Sequence, residues 1–360
     1  MLVHKQILHL PEPFRTEGGV LLHRPQVVYE AYGRPDGPVI LITHGGLSDQ
    51  HAAGRYCDED PAPGWWDELI GPGKPFDTER YRILCMNALG SMYGTTSPST
   101  MNPETGCRYG PQFPEITMVD MARYQKALLD AVGVEELWLV AGPGMGAMLG
   151  LQLAALYPES VGAVVAVAGV GRTPPGAIAT HHFIINTLRM DPQFQAGWYA
   201  LGSPLLAMKT VPQFLRINSV NEDLLKAAIW DAVQDGPEAQ CQRSRAIDRY
   251  LTATVDVDVR DRDPNCYIAL LEAINSYDLG GQADSYEEGV LRIQCPVLLI
   301  SIDTDADYSL QWAEELADIL NTRSPGQAQL ALVDSPWGHL GCIKECEQMS
   351  EPIRKFVAEL

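Results

Sequence analysis

The segment Leu137-Trp-Leu-Val-Ala-Gly-Pro-Gly-Met-Gly-Ala-Met148 runs from an apolar stretch through a glycine-rich turn into a helical pattern. A strand, turn and helix of the form G-x-S-x-G present a serine on a strained elbow, with N–H groups of the helix start facing the reacting carbon. Here the flanking glycines are Gly142 and Gly146, but the middle position is Gly144. With no side chain, that position cannot form an acyl-serine. A glycine-rich turn can also cradle a phosphate, yet this one follows a late strand and lacks a full G-x-G-x-x-G. Further along, Pro296-Val-Leu-Leu-Ile-Ser-Ile-Asp-Thr-Asp305 carries a buried-strand pattern into acidic residues, and Asp334-Ser-Pro-Trp-Gly-His339 puts a lone histidine before the final helix. Elbow, acid and histidine in this order are the seats of an acyl-transfer triad. Asp305 is expected to orient His339, with Asp303 and Asp307 as competitors. The oxyanion donors are expected at Gly46, in Thr43-His-Gly-Gly-Leu-Ser48 with Leu47 beside it, and at Met145, after the elbow position. Alone, a loop histidine reads as a surface residue and His44-Gly-Gly as a tight turn. Their shared order gives them weight.

These positions need strands that end together. Short apolar runs predict strands over Gln26–Tyr32, Val39–Thr43, Arg82–Met86, Leu137–Ala141, Ala163–Ala168, Val297–Ile302 and Gln329–Val333. Helical patterns cover Met118–Val132, Met145–Tyr157, Leu310–Asn321 and Ile343–Glu359. The alternation predicts an α/β protein with a mostly parallel sheet and helices on both faces. Residues 171–289 break the rhythm: they are helical, proline-punctuated and without a convincing strand, Val255–Val259 reading as a loop. The expected organisation is a core of residues 1–170 and 290–360, with a helical lid at 171–289 over the strand ends.

Composition excludes several classes of partner. A formal charge of −20 with no Lys/Arg run argues against nucleic acid and anionic membranes. The N-terminus lacks a signal-peptide pattern, and the most apolar segment, Val161–Val170, is too short to span a bilayer. Cysteines 57, 85, 107, 241, 266, 295, 342 and 346 have no framework spacing, which fits buried thiols in a reducing cytoplasm. Cys342 and Cys346 would share a helix face, and His181 and His182 are adjacent; packing rather than metal binding is expected of both pairs. No metal or redox cofactor is expected.

The sequence resembles the homoserine O-acetyltransferases and their esterase relatives, an α/β-hydrolase family. The match runs through Gly64-Trp-Trp-Asp-Glu-Leu-Ile-Gly-Pro-Gly-Lys-Pro-Phe-Asp-Thr78, Asn87-Ala-Leu-Gly-Ser-Met-Tyr-Gly-Thr-Thr-Ser-Pro-Ser99, Asn102-Pro-Glu-Thr-Gly106 and Tyr109-Gly-Pro-Gln-Phe-Pro114. It continues at the Asp120 helix and the elbow, then Asp191-Pro192, Asp263-Pro-Asn-Cys-Tyr267, Tyr277-Asp-Leu279, the Asp305 strand and the His339 loop, nearly the whole chain. The resemblance implies acyl transfer from an acyl-CoA such as acetyl-CoA to a hydroxyl through an acyl-serine, and relatives that are commonly homodimers. Three positions depart from it. The serine seat is Gly144. Ile185 falls where the family has the arginine that grips the amino-acid carboxylate, and an isoleucine cannot pair with a carboxylate. Leu340 follows His339 where the family has an aspartate for the substrate amine. The last two predict a small-molecule substrate that is uncharged or weakly charged, as in the esterase branch. Gly144 itself has three readings: an engineered knockout, a natural serine-less His/Asp acid–base enzyme (lyase, cyclase or direct-water hydrolase), or a pseudoenzyme that only binds.

Overall fold

A computed structural model describes residues 1–200, 205–218, 220–231, 233, 236, 238–252 and 262–360. Its main sheet has eight strands in the order β1-β4-β8-β5-β9-β10-β11-β12. These are β1 (Gln6–His9), β4 (Gln26–Gly33), β8 (Arg82–Met86), β5 (Val39–Thr43), β9 (Leu139–Pro143), β10 (Val164–Val167), β11 (Val297–Ile302) and β12 (Ala328–Val333). The pairs β1–β4 and β4–β8 are antiparallel, and every pair from β8 to β12 is parallel. Two small ribbons, β2 (Phe14–Arg15) with β3 (Leu21–Leu22) and β6 (Ile70–Gly71) with β7 (Phe76–Asp77), lie outside it.

The central strands are apolar at every position because both faces are covered. Ile40, Ile42, Ile83, Leu139, Val165, Leu298 and Ile300 pack on one face with Trp66, Met349, Ile353 and Phe356. Leu41, Leu84, Val140, Val164, Val297 and Leu299, in the alternate register, pack on the other. That second face is covered by α1 (Met118–Ala131), α2 (Met145–Leu156) and α9 (Leu310–Arg323). From Met145 to Ala155 every residue of α2 is buried, so the helix that leaves the elbow runs through the core. At the start of α1, Thr117 and Asp120 form a reciprocal capping box, and the buried Asp120 also accepts the N–H of Glu17 at 2.8 Å.

Between β10 and β11 the described residues are helical: α3 (Pro175–Met190), α4 (Ala207–Asn218), α5 (Glu222–Lys226), α6 (Ala239–Thr252), α7 (Pro264–Asn275) and α8 (Tyr286–Leu291). Val255–Val259 lies outside the described residues. Arg172 anchors the first connection, lying over the rings of Tyr286 and Trp312 and reaching Glu315 at 2.5 Å.

Several details differ from the sequence expectation. The strand expected over 137–141 lies two residues later, with Leu137 making only an isolated bridge to Val161. The edge strand β1 was not anticipated, because its residues are largely exposed and show no apolar alternation. The helix expected over 343–359 is interrupted: α10 (Gly341–Lys344) ends at Glu345, and α11 (Cys346–Glu359) follows. Cys342 and Cys346 therefore sit on separate helices, both buried. The thiols are not uniformly buried either, since Cys57, Cys107 and Cys241 are exposed. No helix of the described residues is long and apolar enough to cross a membrane.

Candidate active site

The site lies where parallel strands β5, β9, β11 and β12 end, each handing over one loop. The elbow between β9 and α2 is compressed against β5. A Cβ at Gly142 would fall 2.2 Å from Thr43 Oγ1, and one at Gly146 would fall 2.0 Å from the Thr43 carbonyl oxygen. Only glycine fits at either position, and the Thr43 hydroxyl bonds across the gap to the Gly146 carbonyl at 2.7 Å. Gly144 is the N-cap of α2, with φ 54° and ψ −118°, a conformation in which any side chain is strained. A Cβ there would meet His339 Nε2 at 2.9 Å and Cε1 at 3.2 Å. The imidazole thus sits directly over the elbow.

His339 Nδ1 is 2.7 Å from Asp305 Oδ2, so the structure joins the histidine to Asp305 and not to its competitors. Asp303 instead accepts the N–H of Ser335 at 2.9 Å. Asp307 donates its own N–H to Asp305 Oδ1 at 3.0 Å, as Tyr308 does. Burial works against the Asp305 charge, but His339 and these two N–H donors together hold its pKa below the ordinary value. Burial alone also depresses His339; the carboxylates of Asp305 and Asp307 outweigh it and raise the imidazole above 6.5. Burial keeps the Asp307 carboxyl above its ordinary value. Tyr308 packs its ring 5.0 Å from that of His339.

Thr304, which the sequence reading passed over, ties the histidine loop to the end of β11. Its hydroxyl donates to the Ser335 carbonyl and accepts the Gly338 N–H at 3.0 Å. His44, expected only as part of a tight turn, has a larger structural role. Its Nδ1–H donates to the Gly45 carbonyl at 2.7 Å while Nε2 accepts the Ala88 N–H at 2.8 Å, so the ring staples the β5 loop to the β8 loop. Burial lowers its pKa, in keeping with that neutral role.

The β5 loop packs on the elbow: the Pro143 carbonyl is 3.6 Å from the Cβ position of Gly45, and the His44 carbonyl 3.0 Å from that of Gly146. Gly46 and Met145 therefore occupy adjoining backbone. Among the described residues no protein acceptor takes the N–H of Gly46 or Met145, the two groups expected to face an oxyanion. Leu47 is exposed at the rim. Leu340 is half-buried next to His339. Ile185 is buried in an apolar cluster with Met92, Leu188, Cys266 and Tyr267, so the region where a carboxylate-gripping cation was looked for is aliphatic.

His181 and His182 have different surroundings. His182 is exposed, while His181 is buried and bonds Asn275 Oδ1 through Nδ1 at 2.7 Å. A cavity of about 670 Å³ between the 110–117 segment and α7, reached by Arg189, Asn265, Glu272 and Ser276, includes none of the residues expected at the site.

Comparison with known proteins agrees with this fold. Residues 38–345 match the α/β hydrolase fold family. The homoserine O-acetyltransferase of Symbiobacterium thermophilum is 35% identical over 97% of this chain and 92% of its own length. That of Moorella thermoacetica is 35% identical over 99% and 94%. Among solved structures, esterase E22 superposes with a TM-score of 0.90 at 29% identity, covering 99% of this chain and 100% of its own. The homoserine O-acetyltransferase from Bacillus anthracis superposes with a TM-score of 0.90 at 25% identity, covering 99% and 98%. The chain belongs to the α/β-hydrolase fold family and, within it, to the homoserine O-acetyltransferase family.

Proposed function

We propose that this chain performs acyl transfer or ester hydrolysis on an uncharged or weakly charged substrate without an acyl-enzyme, with His339 as general base. The observation that carries the reading is the complete Asp305–His339 pair, 2.7 Å apart, set over a residue that cannot be acylated. In the step envisaged, water or an alcohol gives its proton to His339 Nε2 while its oxygen bonds the acyl carbon. The oxyanion so formed faces the N–H groups of Gly46 and Met145. When the tetrahedral species collapses, the bond to the leaving oxygen or sulfur breaks, and the imidazolium returns the proton to it. Asp305 keeps Nδ1 protonated so that Nε2 stays the base.

Gly144 keeps the strained elbow backbone with His339 against it, so the seat of the nucleophile is formed but carries no side chain to be acylated. The names of the relatives support an acetyl group as the acyl group, with acetyl-CoA or another acyl-CoA as donor. Ile185 and Leu340 speak against homoserine as the acceptor: neither can pair with a carboxylate or an ammonium. The test is turnover of p-nitrophenyl acetate, with and without an added alcohol, by the native chain and by His339→Ala. Turnover that disappears in the variant supports the reading. Turnover equal in both chains would refute it and leave a binding role.

A further inference from the structure

The helical side of the site carries a second histidine that the mechanism above does not use. His181 lies in the first half of α3 with 9% of its surface exposed. Its Nδ1 bonds the amide oxygen of Asn275, at the end of α7. An amide oxygen can only accept, so Nδ1 carries the proton and Nε2 of the neutral ring presents a lone pair. Burial lowers the pKa of His181, against the pull of Asn275, and the charges of His339 and His182 lower it further.

The framework places this pair over the elbow side of the fold. Ile274, next to Asn275, has its Cδ1 3.8 Å from the Cβ position of Gly46, so the end of α7 rests on the expected oxyanion loop. The Ile274 carbonyl is held in turn by the Thr173 hydroxyl at 2.5 Å. Ile185 follows His181 by one helical turn on the same face, buried in the apolar cluster that includes Met92. The nearest cation on α3, Arg189, is paired with Glu272 at 2.6 Å on the exposed side. This face of α3 offers one neutral acceptor and aliphatic surface.

We propose that His181 Nε2 accepts a hydrogen bond from a second hydroxyl of the substrate, so that the acceptor is an uncharged diol or polyol. The inference rests on the reading that His339 activates the attacking hydroxyl. One hydroxyl is then met by His339 and another by His181, and a carboxylate in the second place would face a lone pair. Acetyl transfer from p-nitrophenyl acetate to 1,3-propanediol and to 1-propanol tests it, comparing kcat/KM for the two acceptors. The native chain is expected to prefer the diol, and His181→Phe to reduce that preference about tenfold with little change toward 1-propanol. His181→Gln, whose amide oxygen can accept, is expected to restore part of the preference. A diol preference that is missing in the native chain, or unchanged in His181→Phe while His339→Ala abolishes transfer, would overturn this inference alone. Transfer that is absent in the native chain or survives in His339→Ala would overturn the reading beneath it, and this inference with it.

Discussion

On the sheet side of the site, Asp305, His339, the elbow and the Gly46 loop stand at the ends of buried strands, each tied by backbone or by Thr43, His44 and Thr304. On the helical side, α3 carries Ile185 and His181, and it meets α7 through the His181–Asn275 bond and, at exposed side chains, the Arg189–Glu272 pair. On the proposed function, the first side keeps the parts that move protons and hold an oxyanion. On the second side, Ile185, with Leu340 at the boundary, offers an amino acid no charge. Chemistry and substrate choice are, on the proposed function, carried by different parts of the fold, and each should be alterable without dismantling the other. This is the usual division in open α/β sheets, where strand ends hold the reacting groups and inserted segments shape the pocket.

The largest expected effect comes from the sheet side. His339→Ala should lower turnover of p-nitrophenyl acetate by about 10²–10⁴-fold, the range for a lost general base. Circular dichroism should show the fold intact, since the ring is at the surface of the site with 27% of its side chain exposed.

Gly144→Ser should have two opposing consequences. It restores a hydroxyl beside His339, so a burst of p-nitrophenol should appear in stopped-flow traces. It should also cost roughly 1–3 kcal/mol of stability, because the residue is strained at φ 54° and its Cβ must push the imidazole aside. Urea unfolding of the two chains measures that cost. A serine chain as stable as the native one would mean that His339 relaxes freely.

The pH profile sharpens the account further. General-base action needs the neutral imidazole, and Asp305 and Asp307 raise the pKa of His339. The rise of kcat/KM with pH should therefore be centred above 6.5, and Asp305→Asn should abolish most of the activity that defines this inflection.

The smallest effect belongs to the helical side. Ile185→Arg with Leu340→Asp should raise transfer to homoserine relative to 1-propanol by about tenfold, with p-nitrophenyl acetate hydrolysis little changed. If hydrolysis falls as much as transfer rises, the two sides are not separable.

Most of the sheet was legible in the sequence because its strands are buried on both faces and read as continuous apolar runs, as in Val297–Ile302. The elbow was legible because Gly142 and Gly146 are required by the approach of Thr43. Asp305 was the expected partner of His339, but Asp303 and Asp307 leave the same strand, and it is the turn after the strand that brings the Asp305 carboxylate to the imidazole. His181 was hidden for a different reason. Its partner Asn275 lies 94 residues away on another helix, and the sequence shows only an adjacent pair, His181 and His182, of which packing was expected.

The most direct test is the mass of the intact protein during turnover of p-nitrophenyl acetate, read alongside product formation. The account predicts steady product release with no acetyl adduct beyond that seen in His339→Ala, and product release lost in that variant. An adduct that forms and decays at the rate of turnover, or product formation that ignores His339, would contradict it.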